Sequence, residues 1–300
     1  MGISNPLISI IIPFRNREKY IQRTLASFRR IKYRPIELIF VDNASEDNSR
    51  QFVEHFLQNI AEDKVVIMLL TEPIVGACKA RNCGLHAAHG DFVYFFDDDD
   101  EISADFLDEA FPHLYDNDIV AAPTRMIFPT GEEKVRYTSF SDSVRDQILT
   151  GMLSTQSMLI RKSALISAGE WNEKLPKWND WELGVRLLKK GLKITWLKKV
   201  YHRIYQHPDS LTGPSLATTY PLLQPALLAV ASLSLTDSEK RALAAKELII
   251  SRELEKAGEK QQNRIIITRN LKLYPSLFFF YFYLRLISRG AWKFYRTFWS

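Results

Sequence analysis

The run Phe92–Ile102, FVYFFDDDDEI, passes abruptly from aromatic and β-branched side chains to Asp97, Asp98, Asp99, Asp100 and Glu101. An apolar run of this length predicts a buried strand. The acids then fall at its carboxyl end, where open α/β sheets bind their ligands. Adjacent carboxylates repel one another, so gathering them costs stability unless a cation neutralises them. Hard oxygen donors of this kind suit Mg²⁺ or Mn²⁺, commonly held by one or two carboxylates together with substrate phosphates. In isolation such a run reads better as a solvated loop, or as the approach to a helix starting at Ser103. The buried strand before it, and the loops described next, favour the cation.

The elements that must position these acids can be read from hydrophobic spacing. Leu7–Phe14 is a short apolar run closing at Pro13–Phe14, and Ile36–Val41 is a second one ending at Asp42. Val65–Leu70 is a third, and Phe92–Phe96 a fourth. Between them, Glu18–Arg30, the segment around Phe52, Val53, Phe56 and Leu57, and Gly76–Ala88 carry apolar residues at helical spacing. Strands alternating with helices predict a parallel, doubly wound sheet. Further on, Asp118–Ala122, Ser157–Ile160, Ile194–Leu197 and Val200–Tyr205 read as extended segments. Arg125–Tyr137 reads as a hairpin turning at Pro129-Thr130-Gly131. Ser163–Ala168 is a short helical turn and Asn179–Lys190 a helix, with Trp181, Val185 and Leu188 inward and Gly191 as its stop. Ala217–Thr268 is rich in Leu, Ala, Glu and Lys and predicted helical, with Thr236-Asp237-Ser238-Glu239 as a capping sequence.

Composition sets the frame. A chain of 300 residues, 46% hydrophobic and 25% charged, can hold one large α/β unit and an appendage. The opening Met1–Pro6 lacks a basic stretch followed by a long apolar one, so no signal peptide is expected. Cys78 and Cys83 are too few and too close for a disulfide framework, which points to reduced thiols and a cytoplasmic setting. The net charge of +5 comes from the tail: no acid follows Glu259, whereas Lys260, Arg264, Arg269, Lys272, Arg285, Arg289, Lys293 and Arg296 are cationic.

Four motifs, in order and in context, resemble the family 2 glycosyltransferases. P-x-x-N after the first strand is matched by Pro13 and Asn16. V-D-D/N-x-S after the second is matched by Val41, Asp42, Asn43 and Ser45. G-x-x-x-A-R-N-x-G before the fourth is matched by Gly76, Ala80, Arg81, Asn82 and Gly84, and D-x-D-D after it by Asp97, Asp99 and Asp100. Each motif alone is weak; the set is specific. The resemblance implies a GT-A fold: a Rossmann-like, mostly parallel sheet flanked by helices, here with a helical C-terminal appendage. It divides the chain into a catalytic domain, residues 1–215, and a helical region, residues 216–300. Residues 1–100 would bind the nucleotide sugar and residues 101–215 the acceptor.

The resemblance also implies roles. Pro13, Asn16, Asp42, Arg81, Asp97 and Asp98 would line the nucleotide-sugar site. Asp42 can accept from a base N–H, or simply cap the following helix. Arg81 can bond the donor, or pair structurally with the acids. Asp99 would hold Mn²⁺ or Mg²⁺, which would bridge the diphosphate and neutralise the leaving group. In KWNDWELGVRL the family's acidic pair becomes Asn179-Asp180, and Asp180 occupies the position of the catalytic base, with Glu182 as second candidate. Trp178 and Trp181 offer flat apolar surface to an acceptor sugar, or belong to the core. YQHPDSLT, Tyr205–Thr212, resembles the family's Y-R-x-H-x-x-S segment and makes His207 a further metal ligand. A Q-x-x-R-W motif of processive synthases is absent, so one transfer per binding event is expected.

The expected activity is inverting, metal-dependent transfer from a nucleotide diphosphate sugar, with UDP as the default nucleotide, to a hydroxyl of a glycan or lipid-linked acceptor. The aromatic run LYPSLFFFYFYLRL, Leu271–Leu286, is short of the ~20 residues that span a bilayer. With its basic neighbours it suits a membrane surface, a face packed on the catalytic domain, or a dimer contact. Two rivals remain: a non-catalytic nucleotide- or glycan-binding protein, and a sugar nucleotidyltransferase. The second would want a glycine-rich loop after the first strand, which PFRNRE lacks. Nucleic acid is not an expected partner, because the basic residues interleave with apolar ones in the tail.

Overall fold

A computed structural model describes residues 5–60, 64–136, 141–207 and 216–288. Strands β1 (Ile8–Phe14), β2 (Ile36–Asp42) and β3 (Val65–Thr71) alternate with helices α1 (Ile21–Phe28), α2 (Ser49–Gln58) and α3 (Ala77–Ala87). Then come β4 (Phe92–Phe95), α4 (Phe106–Ala110), β5 (Ile119–Ala121), β6 (Thr124–Ile127) and β7 (Glu133–Arg136). Helix α5 (Val144–Thr150) and a single 3₁₀ turn, Thr155–Ser157, lead into β8 (Met158–Arg161). After it lie α6 (Lys162–Ser167), α7 (Asn179–Lys189), β9 (Ile194–Trp196) and β10 (His202–Tyr205). Four helices follow: α8 (Leu216–Ala231), α9 (Asp237–Lys256), α10 (Lys260–Leu273) and α11 (Phe278–Ser288).

The main sheet has seven strands in the order β3-β2-β1-β4-β8-β5-β9, parallel throughout except for β8. The chain steps outward from β1 to β3 and then returns to place β4 on the other side of β1. That reversal makes the carboxyl ends of β1 and β4 a topological switch point, where a crevice must open. Both faces of β1 are buried: Ile8, Ile10 and Ile12 pack into one core with α1, α2 and α4, and Ile11 into another with α3 and α7. This explains why the strand is uniformly apolar and not alternating. On the second face α3 comes very close. A Cβ on Gly84 would lie 2.5 Å from Ile11 Cγ2, so only glycine fits there.

A smaller sheet, β10-β6-β7, holds the predicted hairpin as an antiparallel β6–β7 pair. Its Tyr137 end, like the Pro208–Thr212 part of the predicted histidine segment, lies outside the described residues. The C-terminal helices form a third core with α5 and α7, built on Ile148, Trp181, Val185, Leu227, Leu243 and Leu254. Helix α9 starts at the predicted capping box, with Thr236 and Glu239 each accepting from the other's backbone N–H. The long helical stretch is broken between α8 and α9 and again at Gly258, whose φ of 87° suits glycine. Helices α4 and α5 were not apparent from spacing. The second carried a readable signal, since Ser143 accepts from Asp146 N–H at its start and Gly151 closes it in the left-handed region.

Candidate functional site

A cleft of about 880 Å³ opens at the switch point. One wall is made by strand ends: Pro13 at the end of β1 with Arg15, Asn16 and Arg17 after it, Asn43 after β2, and Asp97–Asp100 after β4. The other carries Arg136 from β7, Gln156 from the 3₁₀ turn, Glu173, Lys174 and Asp180.

The four aspartates point in different directions, and each is braced by side chains or backbone that they partly share. Asp97 accepts from Arg81 at 2.9 Å and from the Gln156 amide at 2.7 Å. Asp98 accepts from Arg17 Nε at 3.1 Å and from the Arg15 backbone at 3.3 Å. Asp99 Oδ2 meets His207 Nε2 at 2.9 Å, and that imidazole stacks on Tyr20 with centroids 4.1 Å apart. Asp100 accepts from Gln156 at 2.6 Å and from Tyr205 N–H at 2.7 Å. One amide nitrogen of Gln156 therefore bridges two carboxylates.

The cluster is short of positive charge. Burial, then the charge of Asp99, pushes Asp98 up to about 8 against the pull of Arg17. Burial and Asp97 raise Asp99, with the His207 hydrogen bond opposing. Burial together with Asp99 and Asp97 holds Asp100 well above the carboxylate range. A divalent cation would relieve this repulsion. Among the described residues no group of three or more His, Cys, Asp or Glu side chains forms a ready cage. The pair Asp99 and His207 nevertheless fits a hard ion completed by substrate and water. A carboxylate oxygen and an imidazole nitrogen are donors that such an ion accepts.

Several motif residues prove to be scaffolding within this cleft. Asn43 donates to the Glu72 and Ile74 carbonyls, both at 2.9 Å, and accepts from Gly76 N–H at 2.7 Å. An aspartate could not donate those two bonds, so Asn43 in place of a second Asp has a structural reason. Asn16, in the left-handed region at φ 53°, accepts from Glu46 N–H and ties the first loop to the second. Asn82 holds the far wall, bonding both the Trp171 backbone and Glu173. Asp42 is buried beside the cleft, accepting from Ser45 N–H at 3.0 Å and pairing with Arg50 at 3.3 Å. Arg81 is buried at the edge of the cleft, lies over the Trp171 ring at 4.6 Å, and spans the two walls: one nitrogen reaches Asp97 and the other Asn179 Oδ1 at 3.4 Å.

Asp180 lines the cleft in the first turn of α7, and its carboxylate accepts from the neighbouring Trp181 N–H at 2.8 Å. Three other expectations for this segment need correction: Glu182 as a base, and Trp181 and Trp178 as acceptor surface. Glu182 is 2% exposed and forked by Arg186 at 2.7 and 2.9 Å, so it faces away from the cleft and cannot reach an acceptor. Trp181 is buried in the third core with its Nε1–H on the Ile148 carbonyl, so it presents no face to a sugar. Helical geometry is the reason: positions one and two beyond Asp180 turn inward. Trp178 does not line the cleft either; it is half-buried against Trp181.

Sequence reasoning passed over Gln156, Arg17 and Arg23. Gln156 sits in STQS, an unremarkable polar run, and only the fold brings it to the acids. Arg17 was visible in PFRNRE as a cation at a strand end. Arg23, on α1, bonds the Asp99 carbonyl and stacks on Tyr205 at 3.5 Å.

An α/β sheet with an acidic cluster at its switch point, and an arginine linking the two walls of the crevice there, is built to hold a ligand at the strand ends. The model of Glycosyl transferase family 2 matches residues 9–168, and the chain belongs to that family. A relative from Campylobacter jejuni, a GalNAc(5)-diNAcBac-PP-undecaprenol beta-1,3-glucosyltransferase, is 26% identical over 69% of this chain and 67% of its own length. The Staphylococcus aureus TarS fragment 1-349 in complex with UDP-GlcNAc superposes with a TM-score of 0.64 at 21% identity, covering 83% of this chain and 72% of that one. The mannosyltransferase PcManGT from Pyrobaculum calidifontis, in complex with GDP-Man and Mn²⁺, gives a TM-score of 0.64 at 16% identity over 96% of this chain and 80% of that one. The fold is thus the expected GT-A arrangement. Of four curated relatives it matches, the chain spans between 36% and 67% of the length.

Proposed function

We propose that the protein is an inverting, metal-dependent glycosyltransferase. It would move a sugar from a nucleotide diphosphate donor, UDP-linked in the first instance, to a hydroxyl of a glycan or lipid-linked acceptor in surface polysaccharide assembly. The observation that carries this reading is Arg81, which joins the acidic cluster at Asp97 to the Asn179-Asp180 segment across a single cleft. A donor lying along Asp97–Asp99 would have its anomeric carbon facing the wall that carries Asp180. The Campylobacter relative's lipid-linked acceptor and the UDP-sugar and Mn²⁺ of the two structural neighbours support the same classes of substrate and ion.

In this reading Asp99 and His207 would hold Mn²⁺ or Mg²⁺, which when bound would supply positive charge against that of the diphosphate. Asp42 and Asn43 border the base, with Asp42 accepting from its N–H through lone pairs that Ser45 and Arg50 leave open. Asp97, braced by Arg81 and Gln156, faces the ribose and sugar. Asp180 takes the proton of the acceptor hydroxyl as its oxygen attacks the anomeric carbon. The bond from that carbon to the diphosphate oxygen breaks on the opposite face, and the configuration inverts. The C-terminal helices would place the site against a membrane. Phe278, Phe279 and Phe282 are exposed on α11, with Leu273, Lys272 and Arg269 close by in the chain. No helix among the described residues is long and apolar enough to cross one.

A thermal-shift panel of UDP, GDP, dTDP and CDP, each with and without Mn²⁺, tests the donor site. Binding to the folded state alone raises the melting temperature by mass action. A Mn²⁺-dependent rise with UDP is expected. No rise with any nucleotide would favour a site that has lost its donor. Sedimentation with anionic and with neutral vesicles tests the membrane contact: stronger binding to the anionic ones is expected, and binding to neither would remove it.

A further inference from the structure

Lys246 stands on α9, far in sequence from every motif of the cleft. Its Nζ donates to the Leu149 carbonyl at 2.9 Å and lies 5.0 Å from the centre of the Trp178 ring. Leu149 is in the last turn of α5, where carbonyls lack helical partners and the helix dipole favours a cation. No carboxylate pairs with this ammonium among the described residues. Burial, then Arg136 on β7, brings its pKa down to about 8. An aliphatic side chain would fill the same space with no desolvation cost. Beyond capping the Leu149 carbonyl, the charge has a task that packing does not explain.

That task is at Trp178. Trp178 is the residue before α7 and adopts φ 56°, the left-handed region that bulky side chains avoid, without a side-chain cap on the helix. Such a conformation persists only where its surroundings hold it. The Trp181 ring, 5.2 Å away, packs on one side, and Lys246 offers a cation to the indole π-system. The chain passes directly from this turn into Asn179, which accepts from Arg81, and Asp180, which lines the cleft.

We propose that Lys246 is a positioning residue: its charge over Trp178 holds the left-handed turn that aims Asp180 into the cleft. The C-terminal helical layer thereby forms part of the catalytic framework. This rests on Asp180 being the base, and the experiment separates the two ideas.

The full chain is labelled with fluorotryptophan, and the Trp178 resonance, identified by its loss in Trp178→Phe, is followed by fluorine NMR against pH. It should titrate near pH 8 in the parent protein and stay flat in Lys246→Met; a Trp178 signal indifferent to pH overturns the contact. UDP release from UDP-N-acetylglucosamine and UDP-glucose with Mn²⁺, water standing in as acceptor, reads the effect on turnover. Lys246→Met should lower kcat roughly tenfold with the donor KM within about twofold, as misplacement of a reacting group does. The fall in kcat above pH 8 should vanish in that variant. Trp178→Leu should match it, and the double variant should be no worse than either alone. Additive losses, a KM rise in proportion, or an alkaline limb that survives in Lys246→Met would each overturn the proposal. If Asp180→Asn turns over donor like the parent, it is the assignment of the base that fails, whatever Trp178 does.

Discussion

One wall of the cleft is made from the ends of β1, β2 and β4, and the other from a 3₁₀ turn, a hairpin strand and the first turn of α7. The first wall needs only that three strands lie side by side. Parallel register then brings Pro13–Arg17, Asp42–Asn43 and Asp97–Asp100 to one edge without further instruction. The second wall is assembled across long sequence distances. Arg81 reaches 98 residues to Asn179, Gln156 reaches 59 to Asp97, and Lys246 reaches 97 to Leu149. A wall made by register tolerates local change, whereas one made by single side-chain links fails when a link is cut.

The largest expected effect lies at the second wall. Asp180→Asn should reduce UDP release by about 10²–10⁴-fold, the usual contribution of a general base, with the UDP-dependent thermal shift unchanged. A variant that kept its turnover would move the base elsewhere. Cutting the link between walls comes next. Arg81→Met should destabilise the fold by about 2–3 kcal/mol, read by urea unfolding. That is less than for a fully buried pair, because the Asp97 side chain is 32% exposed and can turn to water. Loss of stability with UDP-sugar turnover intact would show that the walls do not need each other.

The first wall has its own weak point in a buried histidine. His202 accepts from Ser103 N–H and meets Tyr94 Oη at 2.9 Å, and Tyr94 donates to the Gln156 carbonyl at 2.7 Å. Burial lowers its pKa from 6.5 to about 3. The unfolded chain therefore takes up a proton that the folded chain refuses. Stability from the neutral imidazole is complete above pH 6.5 and should decline by at most ~1.4 kcal/mol per pH unit as pH falls toward 3. Denaturant midpoints of the parent and of His202→Gln across this range measure it, and the variant's profile should be flatter. The smallest effect on turnover is expected at Glu182→Gln. It should weaken the Arg186 fork and cost about 1–3 kcal/mol of stability while leaving kcat for UDP release unchanged.

Most of the strand-end wall was legible because buried strands announce themselves as apolar runs and their loops begin where the runs stop. Asp97–Asp100 could be placed at a sheet edge before any coordinate was known. The capping box at Thr236 was readable for a similar reason, since both partners lie within one helical turn. Gln156 was not readable, because nothing in STQS distinguishes an amide that bridges two carboxylates from one in solvent. Glu182 was misjudged because a linear string gives adjacency to Asp180, whereas the helical spacing that put Trp181 inward was right and its reading as an acceptor surface was not.

The sequence by itself determined the alternating α/β plan, the family, and the residues at the strand ends. These depend on local periodicity and on motifs within single loops. Tertiary structure alone decided which acids are braced by which cations and that Asn43 must donate. It also turned Glu182 inward and brought α9 against the turn before Asp180. Those outcomes depend on which side chains meet across the fold. Burial then sets the strength of each meeting, because a hydrogen bond or charge pair removed from water weighs far more than the same pair exposed.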